Sequence, residues 1–320
     1  MGRSTGFEPA TPRITILCSN QLSYDRRKIG SANIHRRAAP VNYFSGAFAI
    51  AGCSVRPFLK PMSRMRLLTF NVAHGRGPLP VHQSLRSAVK IRGNLLKIAA
   101  LIKRLKADIV AVQEIDENSR WNGSYNHLTF LSEHTGLPFT AIGLTNERGG
   151  RFPLNYGNGV LSRWPIRQAE TATFGRSRLG GKGYLFTEIE VGAGRRLPLI
   201  NLHLHHASRK QRLLQADALM KFMSGRAKQR GAHWMAPPIL CGDFNNPPHR
   251  PDATAMLLGY CEETNNYTLL PKTGRTFPSA LPALLLDFVL VPQECRVVHS
   301  EVVRCYLSDH RPVLVEFDLD

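Results

Sequence analysis

Of the 320 residues in the chain, 43% are hydrophobic and 20% are charged, proportions typical of a soluble globular protein. The length is sufficient for one large α/β domain or two small ones. No stretch approaches the roughly 20 apolar residues of a membrane-spanning helix, which excludes that class of protein. The formal net charge of +19 suggests a polyanionic partner, such as nucleic acid or an anionic lipid surface.

Residues 1–64 differ from the rest of the chain in charge and in pattern. They hold ten Lys and Arg against Glu8 and Asp25, so they contribute +8 and leave +11 for the remaining residues. They lack a sustained hydrophobic period and are interrupted by five prolines. We therefore expect residues 1–61 to be disordered. Residues 62–320 show no internal linker and no short repeat, and we expect them to form one domain.

Two origins fit this N-terminal segment. It contains Arg and Ser and is poor in acidic residues, as targeting peptides are, but its apolar part lies too late for a secretory signal. Alternatively, residues 5–13 and 18–25 resemble the product of translating a transfer-RNA gene. We favour this second interpretation, in which translation starts at Met62 or Met65.

From Met65 onwards, apolar runs that predict strands alternate with amphipathic stretches that predict helices. Many antiparallel hairpins with helices between them indicate an α/β fold, in which two mainly antiparallel sheets pack face to face and the helices lie outside. The predicted strands span 66–72, 107–114, 138–142, 157–163, 184–191, 197–203, 239–242, 284–291, 298–306 and 312–317. The predicted helices span 94–106, 126–133 and 209–224.

The six cysteines are scattered along the chain and show neither a Cys-x-x-Cys pair nor the spacing of metal ligands. A disulfide framework is not expected in a chain of this size. We therefore predict reduced thiols and a cytoplasmic location. The cysteines are Cys18, Cys53, Cys241, Cys261, Cys295 and Cys305.

Residues 239–246 place polar side chains directly after a buried strand. The apolar run ends at Gly242, and Asp243 and Asn245 follow two positions apart, so both point the same way on an extended chain. An ordinary turn explains these residue types equally well when they are taken alone. A functional site is favoured because polar residues also end or interrupt other strands. Those residues are Asn71, Glu114, Asn201, His203, Asp287, Asp309 and His310.

Several of these strand-end residues are carboxylates, which are unfavourable when buried unless they are paired, hydrogen-bonded or bound to a metal. A hard divalent cation explains their repeated placement, since it prefers carboxylate and amide oxygens. Glu114, Asp243, Asp309 and Asn71 can supply such oxygens, although Mg²⁺ commonly takes only one or two protein carboxylates. We expect Mg²⁺ as the cofactor, with Mn²⁺ as the alternative.

Taken in order, these motifs resemble those of the endonuclease/exonuclease/phosphatase superfamily. The resemblance covers residues 65–320, and the motifs at 242–245 and 308–310 are its most specific parts. It implies a four-layered α/β sandwich and Mg²⁺-dependent hydrolysis of a phosphate ester. The matching segments are 70–71, 113–114, 157–163, 201–204, 242–245, 286–288 and 308–310.

The resemblance also implies a role for each matching residue. Glu114 would be the principal metal ligand, with Asn71 and Asp309 beside it. Asp243 would orient or deprotonate the attacking water, and Asn245 would hold that water or a phosphoryl oxygen. Phosphoryl transfer depends mainly on positioning and on neutralising charge, which such a set provides.

Two histidines complete the implied constellation. His310, oriented by Asp287, would bind a phosphoryl oxygen and stabilise the charge that develops there. His203 would assist on the side of the leaving group. Abasic-site endonucleases of the superfamily typically have Tyr at the position of His203. This residue therefore favours the branch of secreted DNases, sphingomyelinases, inositol-polyphosphate phosphatases and uncharacterised bacterial hydrolases, and it makes DNA repair a weaker expectation.

The identity of the phosphate-ester substrate stays open among nucleic acid, a phospholipid and an inositol phosphate. We expect Asn158, Asn201 and Arg212 to contact it, and the loops 143–156 and 175–183 to form basic rims around it. We expect a monomer with no stable protein partner. The alternative to an enzyme is an inactive scaffold that binds nucleic acid or lipid. The complete constellation argues against that alternative.

A histidine-rich stretch raises a zinc site as a further alternative. His205 and His206 follow His203 closely, and imidazole is a good ligand for transition metals. Only His203 and His205 share one face of the predicted strand, which is too few ligands for a zinc site. We therefore disfavour Zn²⁺ and expect the other histidines to lie at the surface.

Overall fold

A computed structural model describes residues 34–38, 41–43, 64–174, 181–192, 194–229 and 233–319. Four α-helices and fourteen strands lie in these ranges. The helices are α1 (Ala88–Leu105), α2 (His127–Thr135), α3 (Arg209–Lys228) and α4 (Ala253–Asn265). The strands are β1 (Ile34–Ala38), β2 (Val41–Tyr43), β3 (Met65–Asn71), β4 (Ile109–Asp116), β5 (Phe139–Arg148), β6 (Leu154–Ser162), β7 (Ile166–Phe174), β8 (Gly183–Gly192), β9 (Arg195–His203), β10 (Ile239–Asp243), β11 (Thr268–Leu270), β12 (Asp287–Val291), β13 (Cys295–Val302) and β14 (Val313–Leu319).

The strands form two sheets of seven strands each. One sheet has the order β1-β7-β8-β9-β10-β12-β11, and the other has the order β13-β14-β3-β4-β6-β5-β2. Each sheet contains one parallel pair, β9 with β10 and β3 with β4, and every other described pair is antiparallel. The prediction of two mainly antiparallel sheets is confirmed.

Three clusters of buried apolar side chains separate the layers of the molecule. The first, which includes Leu67 and Leu199, draws on strands of both sheets and lies between them. The second, which includes Ile98, joins α1 and α2 to the sheet that holds β3 and β4. The third, which includes Leu219, joins α3 and α4 to the sheet that holds β9 and β10. The layers run helix, sheet, sheet, helix, which confirms the four-layered α/β sandwich.

Alternation along β9 shows how the sequence builds these layers. Leu199 packs between the sheets, while its neighbour Ile200 belongs to the cluster under the helices. Successive side chains of a strand point to opposite faces, so a strand covered on both faces needs apolar residues at almost every position. All five residues of β10 are buried, as its uninterrupted apolar run predicts.

All ten predicted strands and all three predicted helices are present, with shifted ends. The helix α1 starts six residues before its predicted position, because the Ser87 hydroxyl caps it by accepting from the Lys90 backbone N–H at 3.4 Å. Sequence reasoning missed β1, β2, β7, β11 and α4. In β7, alanine, threonine and charged residues replace the apolar runs that identify the other strands.

The prediction that residues 143–156 form a loop was wrong. Here β5 continues to Arg148 and β6 begins at Leu154, so the two strands form a hairpin joined by residues 149–153. The hairpin extends beyond the apolar core at this end, so its outer residues are partly exposed and polar. The second predicted rim, 175–183, lies outside the described residues except for 181–183.

Two short strands belong to the N-terminal segment. The strand β1 pairs antiparallel with β7, and β2 pairs antiparallel with β5, each at the edge of a sheet. The other residues of 1–61 lie outside the described residues, so their disorder and the start of translation stay predictions. Among the described helices, none is long and apolar enough to cross a membrane. The four cysteines from Cys241 onwards are buried. Cys18 and Cys53 lie outside the described residues, so reduced thiols stay a prediction.

Candidate active site

Strand pairing brings the predicted site residues to one end of the sandwich. The parallel pairing of β9 and β10 sets His203 opposite Asp243, and the antiparallel pairing of β10 and β12 sets Asp287 opposite the same residue. From the other sheet, Asn71 at the end of β3 donates a hydrogen bond from Nδ2 to Asp243 Oδ2 at 3.1 Å. Both sheets therefore contribute side chains to a single site.

Asp243 is buried at the centre of this group. Its Oδ2 lies 3.4 Å from His203 Nε2 and 3.7 Å from His310 Nε2, while Oδ1 accepts from the Asn245 backbone N–H at 2.9 Å. Burial raises the pKa of Asp243 to about 7, with His310 opposing this rise and the Asp287 charge adding to it. This carboxylate can therefore exchange a proton near neutral pH.

His310 is held by a buried carboxylate. Its Nδ1 donates to Asp287 Oδ2 at 2.8 Å, which leaves Nε2 facing Asp243. Burial lowers the pKa of His310, but the carboxylates of Asp287 and Asp243 outweigh burial and raise it to about 10. His310 is therefore a fixed cation at neutral pH, as the predicted role requires.

Glu114 occupies a bulge in β4 and has a left-handed backbone with a φ of 53°. Its Oε2 lies 3.6 Å from His74 Nε2, and its Oε1 lies 3.7 Å from Lys182 Nζ and 4.0 Å from His203 Nε2. Burial raises the pKa of Glu114, but the charges of His74 and Lys182 outweigh burial and hold it well below its usual range. No described residue donates a hydrogen bond to this carboxylate, so its oxygens have lone pairs available for a cation.

These donors fit a hard divalent cation, since carboxylate and amide oxygens are its usual ligands. A tighter cluster exists in the described residues, where ligand atoms of Asp243, Asp287 and His310 lie within 4.8 Å of one another. The protonated His310 already supplies the positive charge of that cluster. Glu114, which is charged and accepts no hydrogen bond from the described residues, is therefore the better cation ligand.

Asp309, predicted as a neighbouring ligand, lies in an ion pair. Its Oδ2 accepts a hydrogen bond from the Arg76 guanidinium, and its Oδ1 lies 3.2 Å from the Ser308 hydroxyl oxygen. The Ser308 hydroxyl donates to the Asn71 backbone carbonyl at 2.7 Å, which ties this turn to the end of β3. As a metal ligand, Asp309 would have to share its carboxylate with Arg76.

Sequence reasoning missed His74. Its Nδ1 lies 2.9 Å from Oδ2 of the fully buried Asp116, whose Oδ1 accepts from Trp121 Nε1 at 2.9 Å. Burial lowers the pKa of His74, but the Asp116 carboxylate outweighs burial and raises it. The available signal was a histidine beside Gly75, three residues beyond Asn71 at the end of a strand.

Lys182, expected only as a rim residue, lies inside the site. Its Nζ is 2.6 Å from His203 Nε2 and 3.7 Å from Glu114 Oε1. Burial and then the Lys182 charge lower the pKa of His203 well below its usual range. His203 is therefore neutral at neutral pH, and the positive charge on this side of the site belongs to the lysine.

Asn201 and Asn158, which were predicted to contact the substrate, lie between the sheets. Asn201 is fully buried, and its Nδ2 donates to the carbonyls of Val112 and Gly159 at 2.8 and 2.9 Å. Its Oδ1 accepts from Gln113 Nε2 at 2.7 Å. Asn158 is also buried and donates from Nδ2 to the Gly183 and Asn201 carbonyls. These amides are therefore engaged in joining the two sheets.

Arg212, which was also predicted to contact the substrate, lies at the junction of two helices. Its guanidinium binds Asp252, which caps the start of α4, and donates from Nη1 to the His205 and His206 carbonyls at 3.0 and 3.1 Å. The side chain is buried, so it fastens α3 to α4 and to the turn after β9. The same turn argues against zinc, because His205 Nδ1 accepts backbone hydrogen bonds and is not free as a ligand.

Comparisons with known proteins agree on one family and one fold. The family described as endonuclease/exonuclease/phosphatase matches residues 68–310. No curated protein matches the chain in sequence. Similar solved structures include a Bacteroides thetaiotaomicron mannosyl-6-phosphatase (16% identity, TM-score 0.56, 79% of this chain and 99% of that one) and sphingomyelinase C from Streptomyces griseocarneus (20%, 0.53, 79% and 99%). A third is D. rerio TDP2 with a single-stranded DNA product (14%, 0.55, 80% and 99%).

Proposed function

We propose that this chain, which belongs to the endonuclease/exonuclease/phosphatase family, hydrolyses a phosphate ester by attack of water with the help of a divalent cation. One observation carries the proposal, namely the placement of Asp243 between His310 and His203 with a pKa raised to about 7. A buried carboxylate of this kind suits proton transfer at neutral pH.

Asp243 would accept a proton from water as the water oxygen bonds to phosphorus. Its orientation is fixed by two donors, Asn71 Nδ2 on Oδ2 and the Asn245 backbone N–H on Oδ1. The Asn245 side chain donates to the Leu204 carbonyl at 2.9 Å, so we assign it to shaping this turn and leave its carbonyl oxygen for the water. The geometry thus supports a base with one preferred direction of approach.

His310 would stabilise the negative charge that grows on the phosphoryl oxygens. Asp287 binds Nδ1, which fixes the ring and directs Nε2 towards Asp243 and the reacting group. A cation that is oriented before the reaction needs no reorganisation when charge develops, which is the main source of electrostatic catalysis.

The part of the site that holds His203 and Lys182 would serve the leaving group. His203 is neutral there, and the Lys182 ammonium lies within 2.6 Å of its Nε2. As the bond to the leaving oxygen breaks, charge develops on that oxygen, and Lys182 with His203 would neutralise it or supply its proton. The role predicted for His203, assistance to the leaving group, would therefore be shared by His203 and Lys182.

Glu114, assisted by Asn71 and Asp309, would hold the cation, and we expect Mg²⁺ or Mn²⁺. The bound cation would supply Lewis-acid stabilisation of the phosphoryl group. The depressed pKa of Glu114 keeps its carboxylate charged across the working range of pH, so the ligand is ready without losing a proton.

Turnover tests this proposal directly. We expect the full chain with Mg²⁺ or Mn²⁺ to hydrolyse bis-p-nitrophenyl phosphate or p-nitrophenyl phosphate. We expect Asp243→Asn to lower kcat by about 10²- to 10⁴-fold, as loss of a general base does. The control is Asp217→Asn on α3, where the carboxylate is exposed and, within the described part of the chain, pairs with Lys221. Absence of turnover on these esters, nucleic acids and phospholipids alike would favour the inactive scaffold.

The salt dependence of activity separates the substrate classes. The structurally similar proteins include a sugar-phosphate phosphatase, a sphingomyelinase and a DNA-bound protein, so the fold does not choose among them. If the substrate is a nucleic acid, KM should rise steeply with salt, because backbone binding releases counterions. A KM that is insensitive to salt would indicate a small or lipid ester.

A further inference from the structure

A line of three side chains, Asp116, His74 and Glu114, is only partly used by the proposed mechanism. Asp116 has no exposed surface, and both of its oxygens accept hydrogen bonds, one from Trp121 Nε1 and one from His74 Nδ1. A fully buried carboxylate requires such partners. The proton on Nδ1 of His74 is therefore fixed by Asp116, and Nε2 is the nitrogen that is presented to Glu114.

The separation between His74 and Glu114 suits a shared ion better than a direct hydrogen bond. His74 Nε2 lies 3.6 Å from Glu114 Oε2, which is longer than a hydrogen bond. Imidazole nitrogen and carboxylate oxygen are both ordinary ligands of first-row divalent cations, and the gap between these two atoms leaves room for an ion that would draw them slightly closer together. The two atoms can therefore bind one cation without moving apart.

The backbone supports this arrangement at both residues. His74 and Glu114 have φ values of 56° and 53°, a region that non-glycine residues occupy sparsely and that is common at functional sites. The ring of His74 is also held by the edges of Trp121 and Tyr156, at centroid distances of 5.2 and 4.9 Å. The direction of Nε2 is therefore set by packing as well as by Asp116.

We infer that His74 Nε2 is a ligand of the same divalent cation as Glu114, which makes this a mixed nitrogen and oxygen site. The inference rests on the proposed function, in which Glu114 holds the cation. An imidazole that donates its other ring N–H to a carboxylate is the usual form of a metal-binding histidine. Because imidazole favours transition metals over Mg²⁺, the site should bind Mn²⁺ or Zn²⁺ more tightly than Mg²⁺.

Electron paramagnetic resonance of bound Mn²⁺ tests this assignment. We expect electron spin-echo modulation from a directly coordinated histidine ¹⁴N in the full-length wild-type protein. The modulation should be lost in His74→Gln, with the Kd for Mn²⁺ raised about tenfold or more and the Kd for Mg²⁺ raised less. It should persist in His203→Gln and in His82→Gln, a nearby histidine whose ring contacts Trp121.

Several outcomes would overturn the inference. Wild-type Mn²⁺ spectra without ¹⁴N modulation would overturn the inference even if His74→Gln did not fold. Such spectra would indicate that a proton, and not a metal ion, lies between His74 and Glu114. Unchanged modulation and Kd in folded His74→Gln would do the same. If the wild-type enzyme is active and either of these two results is observed, the proposed function stands and the assignment of His74 as a metal ligand is rejected. Nitrogen-coordinated Mn²⁺ that depends on His74, in a protein without turnover, would keep the metal ligand and overturn the proposed function.

Discussion

Glu114 and Asp243 lie in one site, yet their surroundings shift their pKa values in opposite directions. Glu114 lies near three side chains that carry or can carry positive charge, and its pKa is held well below the usual range in spite of burial. Burial of Asp243 beside Asp287 raises its pKa to about 7 in spite of His310. One carboxylate is therefore suited to hold a cation and the other to move a proton.

His310 predicts a pH dependence of stability. Its pKa in the folded protein is about 10, above the ordinary value of 6.5, so its stabilising charge is fully present below pH 6.5 and is lost as the pH rises through 10. We expect His310→Gln to cost on the order of 3–5 kcal/mol at pH 6, because it leaves the buried Asp287 side chain without its cationic partner. Urea unfolding from pH 6 to 10.5 measures this difference.

The stability difference between wild type and His310→Gln should shrink as the pH rises from 7 towards 10.5. The control is His299→Gln on β13, where the ring is largely exposed and its substitution should change stability little at any pH. If the difference in stability between wild type and His310→Gln stays constant across this pH range, the pKa of His310 is not raised by folding.

Several residues of the site that the sequence predicted lie at or near the ends of buried strands. An abrupt change from apolar to polar residues marks Asn71, Glu114 and Asp243 without any alignment. His74 escaped because it lies in a short 3-10 helix after β3, and Lys182 escaped because it lies outside regular structure directly before β8; polar residues are ordinary at such positions. Their importance comes from distances to Glu114 and His203, which depend on how separate strands are paired.

At the scale of elements, the register of β9 against β10 decides whether a site forms at all. A shift of one residue would turn His203 away from Asp243, because successive side chains of a strand face opposite sides. The sequence predicted both strands but not their partners, since apolar runs specify burial and not register. Similarly, β7 and α4 were missed because their burial depends on neighbours rather than on a strong local period.

Gly242 fixes this pairing and gives a sharp test. Its φ is 137°, and a Cβ there would lie 1.9 Å from the Leu202 carbonyl oxygen of β9. We expect Gly242→Ala to destabilise the protein by more than about 4 kcal/mol, or to prevent folding, because backbone must move to admit the methyl group. Thermal melting and soluble yield measure the effect.

The matched control is the same substitution at Gly225 in α3. A Cβ there meets nothing within 4 Å, so Gly225→Ala should stabilise the protein by about 0.5–1 kcal/mol through helix propensity. A Gly242→Ala protein as stable as wild type would show that β9 and β10 do not approach as closely as described.

Asn201 tests whether the amide between the sheets is structural or binds substrate. We expect Asn201→Leu to destabilise the fold by about 2–4 kcal/mol, because it leaves the buried Val112 and Gly159 carbonyls without this donor. The KM of the folded fraction should stay unchanged. Chemical unfolding and initial rates below the melting temperature measure the two quantities, with Asn265→Ala on α4 as a partly exposed control. A large rise in KM at unchanged stability would restore the substrate-binding role.

At the scale of the whole molecule, two sheets are needed because neither holds a complete site. One sheet supplies Asp243, Asp287 and His203, and the other supplies Asn71 and Glu114. The apolar cluster between the sheets holds these two sets together. The architecture was predictable from alternating strands and helices. The contribution of the N-terminal segment was not, because β1 and β2 carry no strong strand pattern.

A chain that begins at Met62 tests where the domain starts. Every residue of the three described core clusters is Met65 or later, whereas β1 and β2 pair with β7 and β5 at the edges of the sheets. We therefore expect residues 62–320 to fold and to keep the kcat of the full chain. The melting temperature should fall by a few °C at most, about the effect of 1 kcal/mol in a domain of this size. Calorimetry and turnover of the two chains, measured side by side, test both expectations. If the shorter chain aggregates or is inactive while the full chain is active, the N-terminal segment is part of the domain.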